Sequence, residues 1–337
     1  DLAVTLGRDA DAEYDPHHPL LEAIRTDPIL SETKLIAEPW DVGNNGWQTG
    51  NFANGWHEWN DRYRDRIKNF WLTDIAQARN TGIAPTGVGG FATRLAGSSN
   101  TFSPERGPVA SVNFITAHDG FTLNDLTTYD VKHNIGNGED NRDGSDNNRS
   151  FNHGWEGPTD NPEIIAARRK TMRNLMGTLI LSAGIPMITA GDELGRTQHG
   201  NNNAYCHDSP LNWVNWELQD WQQDMLATTK HLTAMRRDHP ALRPTKFGVF
   251  GQRVPSASKV DWYNTQGETM EDEDWNDPHN RTLQYVASST PDNEPFNRVL
   301  MIIHGTEEST QVVVPKHEDV LFYEPLWFSP HNSPRDV

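Results

Sequence analysis

Short apolar segments that end in acidic residues are the clearest pattern along the chain. They are residues 35–37 before Glu38, residues 112–117 before His118 and Asp119, and residues 185–191 before Asp192 and Glu193. Each segment is typical of a buried parallel strand with polar groups at its carboxyl end. A single acid there is more often a helix cap or a loop anchor than a catalyst. Three on one chain, one of them beside a histidine, favour a shared site at the edge of the sheet where α/β proteins keep their chemistry.

Helical patterns precede two of these segments. Apolar residues at helical spacing predict a short helix over residues 19–24, directly before the strand at 35–37. Asn161 as an N-cap and Pro162 at the first helical position begin a longer helix that ends at Gly184, directly before the strand at 185–190. A further helix is predicted over residues 220–237. Helix followed by strand is the repeat of α/β proteins.

Long polar segments separate these elements. Residues 41–60 are predicted to be one loop rich in Gly, Asn and Trp, and loops of this length in compact domains are usually functional. Residues 63–71 could be a strand that leads into a helix, and periodicity alone does not decide this. The tract at 134–152 is crowded with Asn, Asp and Gly and would, on its own, pass for disorder or a metal loop. It lacks the glycine and the closing glutamate of an EF-hand loop, so we do not predict a calcium site there.

The pattern changes after Pro240, where short apolar or alternating segments separated by turn residues are typical of antiparallel strands. The predicted strands are residues 248–250, 282–288, 298–304, 310–314 and 320–322. We therefore expect a domain boundary near residues 240–246.

Charge and cysteine content exclude several classes of protein. A net charge of −18 argues against nucleic-acid or anionic-membrane partners. The single cysteine, Cys206, excludes an internal disulfide, and no apolar run approaches the length of a membrane span. We interpret the chain as cytoplasmic. It begins with Asp1 and shows no signal peptide, and we expect it to be the interior of a longer chain.

Tryptophan is abundant, with 12 in 337 residues, and several lie among Gly and Asn. Exposed indole rings suit the C–H faces of sugars, whose hydroxyls hydrogen-bond to nearby Asn, Asp and His. The alternative, that these rings anchor long loops by burial, is equally consistent with the sequence of any single one.

Several segments resemble, in order, the α-amylase family of glycoside hydrolases, and within it the bacterial glycogen debranching enzymes and isoamylases. They are residues 35–40 (LIAEPW), 112–123, 134–152, 190–205 and 261–288. The start, Asp1-Leu2-Ala3, resembles the end of the family's nucleophile motif. The resemblance implies the C-terminal half of a (β/α)8 TIM barrel at residues 1–242, followed by a small, incomplete antiparallel β-sandwich domain at 243–337. It also implies that four barrel strands, the motif's arginine and a carbohydrate-binding module lie upstream.

The resemblance also implies roles for individual residues. Asp1 would be the nucleophile, Glu38 the acid and base, Asp119 the group that stabilises the transition state, and His118 a donor to a sugar hydroxyl. Retaining glycoside hydrolysis needs the first two carboxyl groups roughly 5 Å apart. The residues expected to line the sugar groove are Trp40, His57, Trp59, Asn202 and Tyr205. No metal and no cofactor are expected, and a structural role is favoured for Asp192 and Glu193.

The predicted activity is hydrolysis of α-1,6 branch linkages in glycogen or limit dextrin with retention of configuration, and the expected partner is the branched α-glucan. Two alternatives stay open at this point. One is another reaction of the family, such as hydrolytic release of trehalose from a maltooligosyl end, and the other is a non-catalytic α-glucan-binding protein. The chain on its own is expected to be inactive, because half a barrel leaves strand edges and a core face uncovered.

Overall fold

A parallel sheet of four short strands carries the first two thirds of the chain. The computed structural model describes residues 1–249, 252–290 and 296–334. The strands are β1 (Leu35–Ala37), β2 (Trp56–Trp59), β3 (Ser111–Asn113) and β4 (Ile185–Pro186), and they neighbour one another in chain order. All three pairings are parallel, with Ile36 opposite His57 and Val112 opposite Ile185. The carboxyl ends of the strands therefore meet at one edge.

Strand β2 corrects the prediction of a single loop over residues 41–60. Its sequence, Trp-His-Glu-Trp, has a charged residue in the middle, and that residue is fully buried. Glu58 pairs there with Arg106, whose Nη1 lies 2.5 Å from its Oε1, and it also accepts from the backbone N–H of Gly50. A buried carboxylate is tolerated only with such partners, and this one finds its cation 48 residues away, beyond the reach of a local pattern.

Helices precede, separate and follow the strands of this sheet. They are α1 (Pro19–Thr26), α2 (Asp61–Lys68), α3 (Asp74–Thr81), α4 (Gly89–Leu95), α5 (Pro162–Leu181) and α6 (Asp220–Asp238). The ambiguous residues 63–71 are helical, because the Asn60 side chain caps α2 and a π-helical turn at Asn69–Thr73 continues it into α3. The long helices at α5 and α6 confirm the predicted ones. In the described part of the chain, no helix has both the length and the apolar character that a membrane crossing needs.

The last part of the structure is one antiparallel sheet of β5 (Ser258–Tyr263), β6 (Thr282–Ser289) and β7 (Arg298–His304), with the short helix α7 (Asp272–Asn276) between the first two. Strands β6 and β7 confirm two predicted strands, whereas β5 was not predicted. Every residue of β5 pairs with β6, from Ser258 opposite Ser289 to Tyr263 opposite Gln284.

The predicted strands at 310–314 and 320–322 are wrong. Both segments are extended chain without ladder pairing, and Leu321 is 95% exposed. Their apolar residues indicated strands, but an isolated strand cannot satisfy its backbone without a neighbour. Of the strand predicted at 248–250, Gly248 and Val249 are not in a strand, and residue 250 lies outside the described residues.

The larger hydrophobic core lies between the helices and the antiparallel sheet. It joins side chains of α2, α4, α5 and α6 to Leu283 and Tyr285 of β6 and Ile303 of β7. A second, smaller cluster packs Val4 and Leu21 against Ala37 and Trp56 and so holds the first residues of the chain against β1 and β2. The end of the chain that carries Asp1 is therefore anchored beside the carboxyl end of β1.

Candidate active site

The first residues of the chain are hydrogen-bonded to Glu38. The backbone N–H of Leu2 donates to Glu38 Oε2 over 2.6 Å, and the N–H of Ala3 donates to the Glu38 carbonyl over 3.0 Å. Glu38 directly follows β1 and is 5% exposed. These bonds fix the direction of its carboxylate and bring Asp1 next to it.

A carboxyl–imidazole cluster lies at this edge of the sheet and consists of Asp1, Glu38 and His118. One carboxylate oxygen of each acid and one ring nitrogen of the histidine lie within 4.8 Å of one another. Within the described residues it is the one group of three His, Cys, Asp or Glu side chains that meet so closely. Glu38 is buried and its two companions are exposed, so the cluster opens to solvent on one side. Three residues that were singled out from the sequence thus come together.

The aromatic rings of Trp40, Trp59 and Phe114 lie next to one another beside His118. The Trp59 ring lies 5.8 Å from the His118 ring and 5.3 Å from the Phe114 ring, and the Trp40 ring lies 6.3 Å from Trp59 at a steep angle. Both tryptophans are half-buried and keep part of their surface open. This geometry offers apolar faces next to acidic groups, the combination that sugar rings require.

Asp119 follows His118 and is exposed, and it lies within the electrostatic field of a buried lysine. Lys68, near the end of α2, is buried, and this desolvation lowers its pKa to about 7, with a further lowering by Arg64. Asp65 and Asp119 act in the opposite direction and favour the charged ammonium. Lys68 was missed in the sequence. No sequence pattern indicates its burial, since Lys68 directly follows Ile67 and adjacent residues of a helix point in different directions.

The three other predicted sugar contacts have different surroundings. His57, half-buried in β2, has its Nδ1 2.7 Å from the Val109 carbonyl. Tyr205 is exposed, and its hydroxyl donates to Glu139 over 2.9 Å. Asn202 is 1% exposed, and its side chain donates to Asn148 and accepts from Asn134. The structure therefore does not bring the Asn202 side chain to the surface.

The cluster could serve two kinds of chemistry. Two carboxylates and an imidazole are ligands that divalent transition metals accept. One Glu38 oxygen, however, already accepts the Leu2 N–H, which reduces what the residue could offer to an ion. Two carboxyl groups this close are also the arrangement that retaining glycosidases use, with one as nucleophile and one as proton donor.

Comparison with known proteins identifies relatives for most of the chain. The glycogen operon protein GlgX homologue of Mycobacterium tuberculosis is 47% identical over 279 residues, which are 82% of this chain and 37% of that protein. The glycogen debranching enzyme of Yersinia enterocolitica is 42% identical over 340 residues, covering the whole of this chain and 47% of that enzyme. No model of a protein family matches the chain.

Solved structures with the same fold are pullulanases. The enzyme from Bacillus acidopullulyticus aligns with a TM-score of 0.56 at 18% identity, over 84% of this chain and 29% of that one. A pullulanase from Anoxybacillus, complexed with maltotetraose, also aligns with a TM-score of 0.56, at 19% identity, over 90% of this chain and 37% of its own. At this identity the likeness concerns the fold alone.

The chain spans less than half the length of the curated relatives that it matches. Identity above 40% over 82–100% of its own length is far more than shared fold alone would give. The resemblance recognised in the sequence is thereby confirmed. The chain belongs to the family of the bacterial glycogen debranching enzymes.

Proposed function

We propose that the complete protein carrying this chain is a cytoplasmic enzyme that hydrolyses α-1,6 branch linkages of glycogen or limit dextrin. The observation that carries the proposal is the carboxyl–imidazole cluster, with two carboxylates within 4.8 Å at the carboxyl edge of a parallel sheet. The names of the relatives, glycogen debranching enzymes, support the substrate.

In this proposal the reaction is a double displacement. Asp1 attacks the anomeric carbon while Glu38 protonates the oxygen of the leaving chain. Glu38 then deprotonates a water molecule that releases the sugar from Asp1, so the configuration is retained. Asp119 stabilises the positive charge of the transition state, and His118 donates to a hydroxyl of the same ring. The Trp40 and Trp59 rings would hold the sugar at this edge.

The proposal also assigns the two sheets to larger folds. The four parallel strands in chain order would be one half of a (β/α)8 barrel, and the antiparallel sheet would be part of a β-sandwich. Ile36 supports the first assignment, because its side chain is 48% exposed in the middle of an edge strand. Closure of the barrel by further strands would cover this side chain, and the strand beside β1 would pair with the backbone groups of that edge.

The experiment compares E38Q with the unchanged complete protein, counting the reducing ends released from glycogen and from limit dextrin. General acid catalysis contributes about 10²–10⁴-fold, and E38Q should lose at least about that, since it keeps shape but has no transferable proton. E32Q is the matched control. Glu32 is exposed on the turn before β1, and this variant should keep the full rate.

A second substrate separates the two carboxylates. An α-maltosyl fluoride needs no protonation of its leaving group, so E38A should still form the glycosyl-enzyme from it, whereas D1N should not. Retention of branch hydrolysis by E38Q would overturn the assignment of the acid. Release of trehalose, or binding of glycogen without any hydrolysis by the unchanged protein, would overturn the proposed reaction in favour of the two alternatives.

A further inference from the structure

The segment that carries His118 and Asp119 is held at both ends by one buried side chain. Asp192 begins the turn Asp192–Leu194 after β4 and is 3% exposed. Its Oδ2 accepts a hydrogen bond from the Thr116 hydroxyl, and its Oδ1 accepts one from the Leu123 backbone N–H over 3.0 Å. Thr116 precedes the His-Asp pair by two residues, and Leu123 follows it by four.

A third tie fixes the middle of the segment. Gly120, which follows Asp119, has a φ of 82° and donates its N–H to the Asn202 carbonyl over 2.9 Å. A residue with a side chain would be strained at this φ, so the turn depends on glycine and on its partner. Between residues 116 and 123 the chain has no helix or strand hydrogen bonds, and these contacts replace them.

The charge of Asp192 is costly where it lies. Burial raises its pKa to about 6, although the Thr116 hydroxyl and the Leu123 N–H act to lower it. A neutral or apolar residue would fill this place in the core at a lower cost. A carboxylate can, however, accept from two donors that approach from different sides, and here those donors belong to the two ends of one loop.

We propose that Asp192 is a positioning residue, which sets the location of His118 and Asp119 relative to Glu38 without touching the substrate. The proposal rests on the function proposed above. Its consequence is kinetic: a displacement of about 1 Å in a catalytic group can cost around 10²-fold in rate. The loss should appear in kcat and leave KM for the glucan within about threefold, because groups that act in the transition state contribute little to substrate binding.

The test uses the complete protein with three variants. D192A removes both ties and should lower kcat by about 10²-fold. D192N should restore most of the rate, because its oxygen can still accept from Leu123 while its amide can donate to the Thr116 hydroxyl. T116V removes one donor with little change in volume, should lower kcat by a smaller factor, and should add nothing to the loss in D192A.

Asp125 provides the matched control. It is also fully buried, and it also accepts from a threonine hydroxyl, of Thr197, and from backbone N–H groups, of Gln198 and Gly200. None of these partners lies in the segment 116–123. D125A leaves both ends of the segment tied to Asp192 and can loosen only the region near the Asn202–Gly120 contact. It should therefore reduce stability about as much as D192A while lowering kcat by a clearly smaller factor.

Hydrogen exchange provides a readout that does not depend on activity. Amides of residues 117–122 should exchange faster in D192A than in D125A, and D192N should restore their protection. If the unchanged protein releases no reducing ends from glycogen, the proposed function fails. The exchange rates still show in that case whether Asp192 holds the segment 116–123. If D192A fails to fold, T116V and D192N decide. Unchanged kcat and unchanged exchange in T116V, or a loss in D192A that appears only in KM or in stability, would overturn the proposal.

Discussion

Arg281 joins the antiparallel sheet to the helices behind the parallel sheet, and we predict that R281M destabilises the protein strongly. The residue precedes β6 and is 3% exposed. Its Nη1 donates to Asp74 of α3 over 2.8 Å and to the Thr86 carbonyl over 2.9 Å. The guanidinium also donates to the carbonyls of Phe70 and Gly305 and lies 3.9 Å above the Phe70 ring.

The magnitude follows from what the substitution leaves behind. Methionine fills the volume of the arginine stem, but it leaves the Asp74 carboxylate buried with the Thr86 hydroxyl as its remaining hydrogen-bond donor in the described residues. Removing one partner of a buried ion pair costs about 3–5 kcal/mol. The unpaired carbonyls would add to this, but relaxation of the loops offsets part of it, so we expect about 4 kcal/mol in the free energy of unfolding. Adding D74L to R281M should recover part of the loss, since no buried charge then remains.

Urea unfolding, followed by tryptophan fluorescence, measures this effect. With an m-value on the order of 3 kcal/mol/M, the midpoint should fall by roughly 1.3 M. E307Q is the matched control, because Glu307 pairs with Arg79 across the same two parts of the molecule but both side chains are about 40% exposed. Exposed pairs contribute about 0–1 kcal/mol, so E307Q should shift the midpoint little. Equal shifts in the two variants would refute the reasoning from burial.

Three further predictions concern other parts of the molecule. G177A, in the middle of α5, should destabilise the protein in urea by about 1–3 kcal/mol instead of adding the usual helix gain, because its Cβ would lie 2.5 Å from the Trp327 ring; a gain in stability would contradict this packing. Because burial raises the pKa of Asp192 to about 6, the stability linked to this carboxyl is fully present below its ordinary pKa and is lost as the pH rises through about 6. D192N should flatten that part of the curve of unfolding free energy against pH, and an unchanged curve would contradict the shift. Chelation with EDTA should leave the rate of branch hydrolysis unchanged, since the proposed mechanism uses the carboxyl–imidazole cluster for proton transfer without a metal, whereas a loss restored by zinc would show a metal there.

The sequence predicted elements whose stabilising contacts are local or periodic. The helix α5 has an N-cap, a first-turn proline and an apolar stripe, and it forms where they predict it. Strand β2 was missed because Glu58 is stabilised by Arg106, far away in the chain, and its burial cannot be inferred from its neighbours. At Leu321 a strand was predicted that does not form, because an apolar residue is buried only if another element covers it, and Leu321 is exposed.

The candidate site shows the same difference between features that are local in the sequence and contacts between residues far apart in the chain. Glu38 and His118 could be found because each follows an apolar segment, and Asp1 was added by resemblance to a family. The partners of Asp192 and the electrostatic interaction of Lys68 with Asp119 involve residues that lie about 50 to 80 positions apart in the chain. No spacing rule relates such residues, so the sequence predicts candidate reacting groups but not the groups that hold them in place.

The polar tract at 134–152 shows how irregular chain around such a site can be ordered without regular structure. Asn134 and Asn202 hold each other: the Asn134 side chain donates to the Asn202 side chain and accepts the Asn202 N–H, at 2.8 Å and 3.0 Å. Asn202 also donates to Ser145 and Asn148, and Asn141 accepts the Asn134 N–H. An amide side chain has both a donor and an acceptor, so it can replace the missing partner of either backbone group. A segment whose composition is typical of disorder therefore supplies hydrogen bonds that its backbone cannot form within a sheet. Because the Asn202 carbonyl accepts the N–H of Gly120, this network also holds the residue next to Asp119.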